Sequence, residues 1–144
     1  MQVKFIKVLD TAKIPTQGTP GSAGYDLYNA EAAEYYLAPG ETKMFHTGLE
    51  MAIPEGYFGG IYARSGLSIK HGLRPANCTG VVDSSFRGEV LVALHNDSTS
   101  GYLVGPGERI AQLIVQPYMD IEFAEVDDLD ETERGEGGFG STGR

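Results

Sequence analysis

Turn signals cut this chain into pieces too short for anything but strands. Ala38-Pro39-Gly40, Pro54-Glu55-Gly56 and Gly105-Pro106-Gly107 each set a proline, whose φ is locked and which has no backbone donor, beside a glycine that accepts a left-handed backbone. Between them lie apolar runs without helical periodicity, predicting strands over 34–37, 41–53, 57–63 and 109–116. Val90-Leu91-Val92-Ala93-Leu94 is apolar on both phases, the pattern of a strand covered on both faces. Residues 1–9 alternate as Met1, Val3, Phe5 and then change phase to Ile6 and Val8, which predicts a strand with a bulge. Short, closely spaced strands point to an all-β sandwich or barrel. One helix is expected, over 65–71, with Ser65 as its N-cap.

A chain of 144 residues is one ordinary domain and can bury enough surface to fold without a staple. A single cysteine, Cys78, rules out an internal disulfide framework, fits a reducing compartment and reads as a small buried side chain. No charged-then-apolar leader opens the sequence, and no apolar run nears the ~20 residues that span a bilayer, so a cytoplasmic protein without membrane contact is expected. The net charge of −9 is local: residues 120–136 hold nine of the twenty acids and only one base, Arg134. That acidity argues against nucleic acid as a partner but not against a phosphate pocket in the near-neutral remainder. The chain therefore divides into a β domain (1–119), an acidic connector (120–133) and a glycine-rich end (134–144).

Four stretches and the tail carry chemistry. Tyr62-Ala63-Arg64-Ser65-Gly66-Leu67 runs from strand into helix, where first-turn amides, the Ser65 hydroxyl and the Arg64 guanidinium can hold phosphate oxygens, or simply cap a helix. Asn77 to Glu89 reads as a hairpin offering Asn77 and its backbone to a ligand edge, with Asp83 at the mouth and Phe86 as a ring to pack on. A carboxylate such as Asp83 can take a proton from attacking water, or can serve only its turn. Asp26 lies in a turn-like Ala-Gly-Tyr-Asp-Leu. In Gly107-Glu108-Arg109-Ile110-Ala111-Gln112, Arg109 and Gln112 fall on opposite phases, so a regular strand aims at most one of them at a given pocket. The histidines have no metal-ligand spacing, so any metal would be Mg²⁺ arriving with phosphates.

The tail, Arg134-Gly135-Glu136-Gly137-Gly138-Phe139-Gly140-Ser141-Thr142-Gly143, is too rich in glycine to form a core element. Its G-x-G-x-x-G is no dinucleotide fingerprint, since no helix can follow it. It does hold an arginine, a ring and two hydroxyls among amides that can wrap an anion.

In their order, Ala-Gly-Tyr-Asp-Leu, Arg-Ser-Gly-Leu-Ser-Ile-Lys-His-Gly, Gly-Val-Val-Asp-Ser-Ser-Phe-Arg-Gly-Glu, Gly-Glu-Arg-Ile-Ala-Gln-Leu-Ile and the tail closely resemble the five motifs of trimeric dUTPases, across residues 23–143. The resemblance implies a jelly-roll-like (β-clip) homotrimer with sites shared between subunits. It would hydrolyse dUTP to dUMP and pyrophosphate with Mg²⁺, supplying dUMP for thymidylate synthesis and limiting uracil in DNA. On that resemblance Asp83 activates water for attack on the α-phosphorus, while Arg64, Ser65, Gly66 and Gln112 hold phosphates. Asp26 reaches Mg²⁺ through water, and Asn77 with the backbone at Val81 and Val82 reads uracil. Phe139 stacks on the base, and Arg134, Gly140, Ser141 and Thr142 close over the nucleotide as a lid. Two positions depart from the family: Phe86 stands where a tyrosine is usual, and Ser85 where a second aspartate is common. Phe86 keeps the ring beneath the deoxyribose without its hydroxyl. Two other readings stand beside this one, a dCTP deaminase-like enzyme on a related fold and a dUTPase-like regulatory protein.

Overall fold

The computed structural model describes residues 1–139. An antiparallel sheet runs in the order β1 (Lys4–Lys7), β5 (Thr42–Ala52), β9 (Glu89–Asn96), β7 (Leu73–Pro75). A second has the order β2 (Thr16–Gln17), β3 (Tyr25–Tyr28), β11 (Arg109–Pro117), β6 (Tyr57–Tyr62), β8 (Gly80–Val82). A ribbon of β4 (Tyr35–Leu37) and β10 (Tyr102–Val104) completes the jelly-roll-like all-β domain. Leu27, Phe45, Leu49, Val92, Leu94, Ile110 and Ala111 fill the core at 1% exposure or less.

Several expectations change. Strand β9 buries Val90, Val92, Leu94 and Asn96 and leaves the alternate residues half-buried, so only one of its faces is fully covered. Strand β1 pairs with β5 in unbroken register from Lys4↔Ala52 to Lys7↔Leu49, without a bulge. Its phase change instead marks a sheet-edge strand with both faces open: Phe5 is 40% and Ile6 58% exposed. The stretch Asn77 to Glu89 is not a hairpin, because β8 pairs with β6 and β9 pairs with β5 and β7. It is a corner that passes the chain from one sheet to the other. Cys78 stands exposed in it at φ 61, the left-handed region, rather than buried.

The helix α1 (Ser65–His71) occupies the expected residues, but Arg64 is its N-cap and no side chain caps it. Ser65 is the first helical residue, its hydroxyl uncommitted to capping. Gly72 ends the helix at φ 67, with Lys70 and His71 in the last turn, where cations suit the helix dipole.

One device occurs twice. The Tyr35 hydroxyl donates to Glu41 Oε1, and the Ala38 amide donates to Glu41 Oε2. Tyr102 donates likewise to Glu108 Oε1 at 2.6 Å, and the Gly105 amide to Glu108 Oε2 at 2.9 Å. Each Pro-Gly-Glu turn is clamped from outside by a fully buried asparagine. Asn96 takes the first: its amide donates to the Glu41 carbonyl, its carbonyl accepts from Gly40, and its Nδ2 donates to the Leu37 carbonyl. Asn29 does the same with Glu108, Gly107 and Gly105. Proline and glycine mark the turns in the sequence; the clamping asparagines come from distant parts of the chain and leave no local mark.

Candidate active site

The first cluster is built on β3 and β11. Asp26, 7% exposed, accepts at Oδ1 from Arg64 Nε at 2.7 Å and at Oδ2 from Arg109 Nη1 at 3.1 Å. Arg64 Nη1 also donates to the Arg109 carbonyl at 3.1 Å, and Gln112 Nε2 donates to the Ala63 carbonyl at 2.8 Å. The β11 register shifts between Arg109 and Ala111, with Ile110 and Ala111 both buried. That bulge corrects the phase argument made from the sequence: the extra residue puts Arg109 and Gln112 on the same outer face. Gly24 leaves room beside them: a Cβ there would stand 2.2 Å from Gln112 Oε1, so the carboxamide would have to shift from Ala63.

Charge balance explains what the cluster can bind. Two guanidinium groups share one carboxylate, so a positive charge is left over for an anion. An open cleft of about 490 Å³ begins here, lined by Tyr28, Arg64, Gly66 and Arg109 and running along α1 to Tyr102. Beneath it, burial first and the hydrogen bond to Glu108 second push the Tyr102 hydroxyl up to about 12. Tyr102 is thus a neutral donor that holds Glu108 in place.

The second cluster lies at the sheet's other edge. Val82 is buried, while Asn77, Val81, Asp83 and Phe86 are exposed. A turn closes from the Phe86 amide to the Asp83 carbonyl, and Arg87 Nη1 ties it by donating to the Ser84 and Phe86 carbonyls. The Phe86 ring lies against Gly88, outside the core. The Asp83 carboxylate has no hydrogen-bond partner among the described residues and opens onto a cleft of about 470 Å³ lined by Phe58, Val81, Ser84, Ser85 and Tyr118. Phe58 and Tyr118 were missed in the sequence, where nothing local links two rings sixty residues apart.

The two clusters share one face of one sheet but do not meet. Asp26 is level with Gln112 and Tyr62, and Val82 with Gly59, so Asp83 lies three strands across and four residues along from Asp26. Strand spacings put the two carboxylates about 20 Å apart. The tail joins neither: Arg134 Nε donates to the Gly137 carbonyl at 2.7 Å, and Phe139 is fully exposed. Gly140, Ser141 and Thr142 lie outside the described residues.

Among the described residues, no three His, Cys, Asp or Glu side chains are arranged to hold a metal, and no helix is long and apolar enough to cross a membrane. A magnesium ion fits the Asp26 cluster only if it keeps its waters and takes inner ligands from phosphates, because both Asp26 oxygens already accept from arginines.

A sequence profile of the dUTPase family matches residues 10–143. The deoxyuridine 5'-triphosphate nucleotidohydrolase of Finegoldia magna is 46% identical over 143 residues, 99% of each chain. That of Nautilia profundicola is 43% identical over the whole of both. Among solved structures, the dUTPase of Staphylococcus bacteriophage 80alpha with dUPNHPP superposes with a TM-score of 0.86 at 29% identity, covering 99% of each chain. Profile, relatives and superposition agree with the order of the motifs, and the chain belongs to the dUTPase family.

Proposed function

We infer that this protein hydrolyses dUTP to dUMP and pyrophosphate. The observation that carries the reading is the pair of half-sites: an arginine-rich, carboxylate-centred cluster suited to phosphates, and an Asp83 without a partner among the described residues, beside a backbone edge suited to a base. Asp83 accepts a proton from water as the water oxygen bonds to the α-phosphorus. The bond from that phosphorus to its bridging oxygen then breaks, and pyrophosphate leaves with the electron pair. Arg64, Ser65, Gly66 and Gln112 hold the phosphates, and Asn77 with the Val81 and Val82 backbone holds uracil by its edge. Phe86 lies under the sugar. Asp26 would hold Mg²⁺ through the ion's waters, and the ion would neutralise part of the triphosphate charge. Arg134, Phe139, Gly140, Ser141 and Thr142 close over the nucleotide.

A separation of about 20 Å is too great for one nucleotide to bridge Asp26 and Asp83 of the same chain. A homotrimer that lends one protomer's Asp83 to another's Arg64 supplies the missing half. Open apolar surface supports such an assembly: Phe5 and Ile6 on the β1 edge, and Met119, Ile121 and Phe123 on an alternating run at 83%, 64% and 91% exposure. A single exposed thiol and the absence of a disulfide suit the cytoplasm.

The test is release of pyrophosphate from dUTP; ammonia from dCTP instead would overturn the assignment. Asp83→Asn is expected to lower kcat by about 10³-fold with dUTP binding retained. Chains carrying Asp83→Asn or Arg64→Ala, each inactive alone, are expected to regain activity when unfolded and refolded together. Failure to do so would place the whole site in one chain. Removal of everything after Glu133 leaves a folded protein with severely reduced turnover.

A further inference from the structure

The cleft beginning at Asp26 continues past the residues assigned to phosphate. One face of α1 forms its wall through Gly66, Leu67, Lys70 and His71, the i, i+4 spacing of a helix. Lys70 lies six residues beyond Arg64, roughly 9 Å of helix rise, with its charge on a flexible four-carbon stem. Between them Gly66 offers no side chain, and a Cβ placed on it would meet nothing within 4 Å. A chain of phosphates can therefore lie along the helix without obstruction.

Positive charge is in excess at both ends of the cleft. Arg64 and Arg109 share Asp26. The Glu108 carboxylate is taken up by the Tyr102 hydroxyl and the Gly105 amide. Lys70 is exposed and makes no ion pair among the described residues. We propose that Lys70 binds the terminal phosphate of the substrate, so that the helix face gauges phosphate number and favours a triphosphate over shorter chains. This rests on the assignment of the Arg64 cluster to phosphates.

The test compares Lys70→Gln and Lys70→Arg with the unaltered protein, measuring dUTP turnover and competitive inhibition by dUDP and dUMP. A charged hydrogen bond lost at the third phosphate raises KM for dUTP about 10-fold or more while leaving kcat within about 2-fold. The inhibition constants of dUDP and dUMP stay unchanged, and Lys70→Arg recovers most of the loss. Equal weakening of all three nucleotides, or no change in any, overturns the role of Lys70 and leaves the reaction assignment intact. An unaltered protein that neither turns over nor binds dUTP overturns both. Because Lys70 is exposed, an unchanged melting temperature is expected for both variants.

Discussion

The two clamped turns, 35–41 and 102–108, are alike in sequence and hydrogen bonding but not in surroundings. Both lead into the long strand of a sheet, β5 and β11. In the first, the hydrogen bond to Glu41 is the main cause raising the Tyr35 hydroxyl, and the same bond, with the Ala38 amide, holds Glu41 below the usual carboxylate range. In the second, burial is the main cause raising the Tyr102 hydroxyl, and the His71 ring lies 4.8 Å from the Tyr102 ring, centroid to centroid. The residues that follow separate them further. After Glu41, the β5 register runs unbroken from Thr42↔His95 to His46↔Leu91 before it shifts; after Glu108 come Arg109 and, at once, a bulge beside Asp26. One turn launches a strand that begins in plain pairing, and its twin launches the strand that carries the Asp26 cluster. A turn's local chemistry therefore does not announce function; the strand it launches does.

Four tests sharpen or break that comparison. The largest effect is expected at the clamps: Asn29→Ala and Asn96→Ala each strand buried backbone groups and cost about 3 kcal/mol in unfolding free energy. Equal losses would establish the turns as structural twins, and activity of the still-folded protein should fall only for Asn29→Ala. Next, Arg109→Ala should lower kcat/KM by roughly 10- to 100-fold. Thr42→Ala, at the equivalent place after the first turn, should leave it unchanged; matching effects would remove the distinction. Third, Tyr102→Phe should lower the melting temperature more than Tyr35→Phe, as calorimetry would record.

The smallest effect is in pH dependence. A Tyr102 hydroxyl raised from 10.0 to about 12 stabilises the fold fully below pH 10 and loses that contribution as pH rises to about 12. Glu41, held low, contributes above the ordinary carboxylate range and loses its part as pH falls below it. Tyr102→Phe should flatten the alkaline slope and Glu41→Gln the acid one. A Tyr102→Phe protein with an unchanged alkaline slope would place the cause elsewhere.

What the sequence made legible was local. Pro-Gly turns bound the strands, a Ser-Gly-Leu run opens α1 at the expected residue, and five motifs in order name the family. What stayed hidden depends on partners distant in the chain. Residues 80–82 and 89–96 look like hairpin arms, yet pairing with β6 and β5 sends them to different sheets. Sites shared between subunits come only from the resemblance, because order along the chain says nothing of separation across a sheet. The Ser65 cap failed because Arg64 already supplies the extended backbone that a cap requires. The adjacent apolar pair Ile110-Ala111 was the available cue to the bulge, but two apolar neighbours equally suit a strand covered on both sides.

The bulge in β11 also sets a parity. Upstream of it odd positions face solvent, and downstream even ones do, so Arg109 and Gln112 stay on one side only while the extra residue is present. Deleting a single residue there would turn either Arg109 or the run from Gln112 onward toward the hydrophobic interior. A slip by one residue is opposed in the same way, since it would exchange Leu113 for Gln112 in the core. The irregularity thus acts as a lock on alignment: the strand has one setting in which its oily side and its charged side are both correct, and that setting brings Arg109 to Asp26 and Gln112 to Ala63.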